Sequence, residues 1–156
     1  IGKKKFMINS EKTFISSTFW TERLGSVAAL ATIKYMKKNK SYKFIKGQGL
    51  KIKSMWNKIA TKHNIEIDII SMDSIPIFVF KEHHNLKKTF LTQEMLKSNI
   101  LASNIIYLSI SHIEKILKKY FKKLDIIFKI ISELSINKLK KKIDGRESNI
   151  PMNRVN

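Results

Sequence analysis

The chain contains no cysteine, which excludes a disulfide framework, a thiolate zinc site and a thiol nucleophile, and suits a reducing compartment. It also lacks any apolar run near the ~20 residues that cross a bilayer, so no membrane partner is expected. The opening Ile1-Gly2-Lys3-Lys4-Lys5 has no initiator Met and no apolar stretch before a small-residue cleavage site. It is not a signal peptide, and it reads as a chain entered in mid-gene, with a cytoplasmic location expected. Arginine is scarce: only Arg23, Arg146 and Arg154 carry the fork that favours phosphate and base edges. What abounds is lysine. The formal charge is +19 and the pI about 10.1, values that raise a basic nucleic-acid-binding or interaction module as the alternative reading. Against it, Lys, Ile and Asn share A/T-rich codons, and the lysines spread along every expected helix instead of forming a block. No specific nucleic acid is therefore expected. The 156 residues, 43% hydrophobic, suffice for one domain with a real core.

Phe14 to Trp20 is β-prone and ends polar, which predicts a short strand running into a loop. Thr21 to Lys38 carries Leu24, Val27, Ala28, Leu30, Ala31 and Met36 near helical spacing. Asn39 to Gln48 reads as a polar linker, with Gly47 and Gly49 near its end. A second helix follows, with Leu50, Met55, Trp56, Ile59 and His63 on one side, stopping near Asn64. The period then changes. Ile65, Ile67 and Ile69 alternate as a half-buried strand, Asp73-Ser74 supplies a turn, and Ile75 to Phe80 forms the neighbour with Pro76 at its start. Asn85 to Ser98 is a helix and Ile100 to Ser111 a third strand, with Ser111 a cap for the last helix. There Ile113, Ile116, Leu117, Tyr120, Phe121, Leu124, Ile127, Phe128 and Ile131 form the apolar stripe. From Asn137 the tail is lysine-rich and irregular. This order predicts an α/β (α+β) chain whose antiparallel or mixed sheet is covered by helices on one face.

Three segments carry a resemblance. Phe14-Ile15-Ser16-Ser17-Thr18-Phe19-Trp20-Thr21-Glu22-Arg23-Leu24-Gly25 is the first. Leu91-Thr92-Gln93-Glu94-Met95-Leu96 with Ile100-Leu101-Ala102-Ser103-Asn104 is the second. Tyr107-Leu108-Ser109-Ile110-Ser111-His112 before the long helix is the third. In this order they resemble the carboxy-terminal part of class III (fold type I) pyridoxal-phosphate aminotransferases of the glutamate-1-semialdehyde 2,1-aminomutase-like group. The resemblance implies a small carboxy-terminal domain with a three- to four-stranded antiparallel or mixed sheet covered by helices. It implies residues 1–25 as the end of the large coenzyme domain, 26–45 as a linking helix, 46–136 as the small domain and 137–156 as the tail. The implied coenzyme is pyridoxal 5′-phosphate, and the implied partners are a second copy in a homodimer and a small amino or keto substrate.

By the same resemblance Thr18 contacts the coenzyme phosphate of the neighbouring subunit, a role that hydroxyl and backbone N–H donors suit. Its residue-level alternative is a strand-end cap. Ser17 is a weaker candidate for that phosphate and Glu22 for substrate; a charged residue in a first helical turn is otherwise a solvated or dipole-related group, as Arg23 is. Thr21-Glu22-Arg23 departs from the Gly-Asn-Pro of many relatives, which points to the aminomutase-like and sugar-modifying branches and leaves the substrate open. The family's Schiff-base lysine, its ring-pairing aspartate and its Gly-rich phosphate loop have no counterpart here, so no catalytic residue is assigned in this chain and the 156 residues alone are expected to be inactive. His63 reads as a helix-end dipole contact and His112 as part of a cap. His83-His84 are adjacent and lack partners at ligand spacing, so no metal is expected.

Overall fold

The computed structural model describes residues 22–148, which divide between two compact units, Ile1–Asn39 and Lys40–Asn156. The strand expected at Phe14 to Trp20 lies outside the described residues. In the first unit, α1 (Arg23–Asn39) is the helix expected from Thr21 to Lys38. Lys37 and Lys38 suit its carboxyl end, and the Asn39 amide donates back to the Tyr35 carbonyl at 3.0 Å. None of its residues is buried.

The second unit runs α2 (Ser41–Lys62), β1 (Ile67–Ile69), β2 (Phe78–Phe80), α3 (His84–Leu96), α4 (Glu114–Glu133) and α5 (Ile136–Lys141). The linker expected from Asn39 to Gln48 is instead the first two turns of α2. The chain breaks at one residue only, Lys40, whose φ of 48° is left-handed. Gly49 was misread as a loop signal because it marks a close approach. A Cβ there would stand 1.7 Å from the Asp73 carbonyl oxygen, so only glycine lets the loop after β1 lie on the helix. Lys53, one turn on, ties the same loop down with an ion pair to Asp73 Oδ1 at 2.9 Å.

Ile52, Trp56, Ile59 and Ala60 are the buried face of α2, spaced as one helical stripe. Leu50, expected inside, is 52% exposed. The stripe of α4 is as expected for Leu117, Tyr120, Leu124, Ile127, Phe128 and Ile131, all buried, whereas Ile113 and Ile116 stay half exposed. Between these helices and the sheet, Trp56 meets Phe78 edge-on at 4.8 Å and Phe128 packs 5.9 Å from Phe78 and 5.5 Å from Phe80. Leu86, Phe90, Leu91 and Met95 of α3 complete this core. The N-cap of α4 is Ile113, with no side-chain cap bond, so Ser111 does not cap it. The tail also differs from its reading, since Ile136–Lys141 is helical and Leu139 is fully buried.

β1 and β2 pair antiparallel, Ile67 with Phe80 and Ile69 with Phe78. The third strand expected over Ile100 to Ser111 is present as an extended segment but not as a regular ladder. Its Ile106 and Leu108 N–H groups donate to the Pro76 and Ser74 carbonyls, and Phe78 N–H donates to the Asn104 carbonyl. The return bond at Pro76 is impossible because proline has no N–H. Asn104 compensates at the next pair: its side-chain amide, buried, donates 2.8 Å to the Phe78 carbonyl. What remains of the third pairing is one bridge, Ile77 to Ile105. The α/β class and the antiparallel pairing are thus as expected, with two regular strands and a third held by a proline and an asparagine.

Candidate functional site

Ser17 and Thr18, the residues the resemblance offers to a coenzyme phosphate, lie outside the described residues. Glu22 immediately precedes α1 and is exposed, as is Arg23, the first residue of that helix. The described residues do not by themselves assemble a coenzyme site. Lys53, with a side chain only 19% exposed, is held by Asp73 and by the Ser71 carbonyl. Lys62 is paired with Asp125 at 2.8 Å and Lys97 with Glu94 at 3.0 Å.

The histidines have structural work to do. Asp125 on α4 accepts from Lys62 at 2.8 Å and meets His63 Nε2 at 2.8 Å, pinning the carboxyl end of α2 to α4. These bonds, first from Lys62 and then from His63, hold the Asp125 carboxyl below its usual range. The side-chain partner of His63 is therefore a carboxylate 62 residues away, which sequence spacing could not reveal. His84 Nδ1 accepts from the Phe80 N–H at 3.2 Å, so the imidazole joins the end of β2 to the start of α3. Burial and then the nearby Lys88 hold its pKa below the ordinary value. His83 takes a left-handed conformation at the N-cap of α3. His112 Nδ1 accepts from the Ser109 N–H at 3.0 Å, and its carbonyl receives the buried Gln48 amide at 2.8 Å. No group of three or more metal-ligating side chains occurs among the described residues.

The second unit carries two surfaces suited to contact. Helices cover the Phe78 and Phe80 face of the sheet, so alternation turns Ile77 and Val79 to the other face. There Ile70, whose N–H donates to the Ile77 carbonyl, and Ile105 flank Ile77 in one row. Ile70 is 64% and Tyr107 70% exposed, and Ile77, Val79 and Ile105 are partly buried. On the outside, Leu50, Met55, Leu117 and Phe121 line a lysine-rimmed groove of about 560 Å3 between α2 and α4.

The fold is similar to part of a solved pyridoxal-phosphate enzyme. It superposes with a TM-score of 0.70 on the FumI protein of Sphingopyxis sp. MTA144, solved in its PLP internal aldimine form, at 15% identity, covering 85% of this chain and 33% of that one. Among curated proteins, 3-aminobutyryl-CoA aminotransferase of Cloacimonas acidaminovorans (strain Evry) is 24% identical over 106 residues, 64% of this chain and 25% of that protein. The chain therefore spans a quarter to a third of the length of these relatives. No family model matches. No described helix is long and apolar enough to cross a membrane.

Proposed function

We propose that the chain is the carboxy-terminal part of a pyridoxal-phosphate-dependent aminotransferase, its second unit being the small domain. The observation that carries this reading is the fold likeness over 85% of the chain, supported by the aminotransferase name of the curated relative. The coenzyme, when bound, supplies the electron sink for moving an amino group between an amino and a carbonyl compound. Thr18, with Ser17 beside it, contributes neutral donors to the coenzyme phosphate of a partner subunit, so the working unit is a homodimer. Glu22 is the candidate for substrate contact. The aminomutase-like branch rests on the three resembling segments, and the Thr21-Glu22-Arg23 departure suits that branch and the sugar-modifying one alike.

The test is spectroscopic. The 156 residues mixed with pyridoxal phosphate give no visible band that borohydride removes, whereas the chain expressed with its preceding sequence does. A band from the short chain overturns the assignment of the coenzyme-bearing lysine to sequence outside it. In the longer protein, Thr18→Val loosens coenzyme retention about tenfold, the scale of one lost phosphate hydrogen bond.

A further inference from the structure

A second cavity, of about 710 Å3, lies between α3 and the segment that follows α5, within the volume range of small-molecule sites. The segment is strapped across α3 at two points. Gln93 Nε2 donates to the Lys142 carbonyl at 2.8 Å, and its Oε1 accepts from the Asp144 N–H at 2.7 Å. Further along, Thr89 Oγ1 accepts from the Ser148 N–H at 2.8 Å. Between the straps Gly145 turns the backbone at φ 106°, a conformation that favours glycine.

The groups left over on the cavity wall have one chemistry. Arg146 and Lys88 line it, and neither takes part in the ion pairs found among the described residues, where Lys97 and Lys140 are the cations of this region. Thr92 and Ser103 hydroxyls stand 3.0 Å apart on the same wall. The one carboxylate on the wall, Asp144, is answered by Lys97 at 3.4 Å. A guanidinium fork and an ammonium on one cavity wall, beside the Thr92 and Ser103 hydroxyls, complement an oxyanion.

We infer that this cavity binds a small molecule through a carboxylate or phosphate group, with Arg146 pairing the oxyanion and Lys88 adding charge. The site is independent of the coenzyme reading, and it can be present in the short chain whether or not that reading holds. The test is an amide NMR titration of the 156-residue chain with inorganic phosphate and, separately, acetate, at ionic strength held constant with sodium chloride. Saturable shifts are expected at Thr89, Thr92, Ser103 and Ser148, and whichever anion saturates first identifies the group preferred. Arg146→Gln weakens binding about tenfold, and Lys118→Gln on α4, away from the cavity, leaves it unchanged. Should Arg146→Gln lose the folded spectrum, Arg146→Lys, which keeps the charge and loses the fork, makes the same comparison. Shifts that never saturate, that chloride reproduces, or that survive Arg146→Gln undiminished overturn the inference.

Discussion

Two glycines two positions apart on α2 obey opposite rules. Gly47 is exposed, and a Cβ placed on it meets nothing within 4 Å, so Gly47→Ala should stabilise the chain by about 1 kcal/mol through helix propensity alone. A Cβ added at Gly49 would stand 1.7 Å from the Asp73 carbonyl oxygen; Gly49→Ala must push the loop away and should cost about 3 kcal/mol, the upper range for overpacking. Denaturant titration of the two variants reads both signs in one experiment. His84 makes a pH prediction. Its folded pKa lies below the ordinary value because burial and then Lys88 disfavour the charged imidazolium. The unfolded chain therefore binds the proton first, so the stability contributed is whole above the unfolded pKa of about 6.5 and fades as pH falls towards the folded value. His84→Asn, which keeps an acceptor for the Phe80 N–H, should flatten the melting temperature between about pH 7 and about pH 5.5 relative to the native chain. An unchanged slope would show that the imidazole does not titrate with folding.

At the scale of elements, the joint between α2 and α4 is a polar bond inside an aromatic core. Trp56 Nε1 donates to the Tyr120 hydroxyl at 2.9 Å, and burial pushes the Tyr120 phenol well above its ordinary range, so it stays protonated wherever the protein is folded. Tyr120→Phe leaves a buried indole N–H without an acceptor and should cost about 1–3 kcal/mol, while Phe121→Ala, on the half-buried side of the same helix, should cost less. Equal losses would make the bond incidental. The elements legible in the sequence were those whose own periodicity decides their fate. The stripe of α4, the alternation of Ile65 to Ile69 and the body of α3 needed no knowledge of partners. The misreadings share one cause. Gly49 is set by a carbonyl that arrives from Asp73, the third strand is interrupted by Pro76 on the strand beside it, and the helix in the tail depends on a slot for Leu139. Each is a non-local contact that local pattern does not encode. The same holds for the sites: Thr18 could be nominated only by resemblance, and the cavity behind Arg146 was invisible because Gln93 reaches it across 49 residues.

The whole molecule sets a charge of +19 against a partly exposed apolar sheet face, and the two make opposite demands on association. Like charges hold copies apart at low salt, and screening within about 8 Å at physiological ionic strength removes that barrier. Burial of the Ile70–Ile77–Ile105 row is indifferent to salt. If the small domain has been separated from the body that covers this face, self-association in sedimentation velocity should therefore rise with added sodium chloride. An association held by lysines and carboxylates would fall under the same addition. Ile70→Lys and Tyr107→Lys, at positions already 64% and 70% exposed, should abolish the association with a change in stability within about 0.5 kcal/mol. Lys58→Gln on the α2–α4 side should leave it intact. A chain that stays monomeric at every concentration and salt would show that this face drives no self-association.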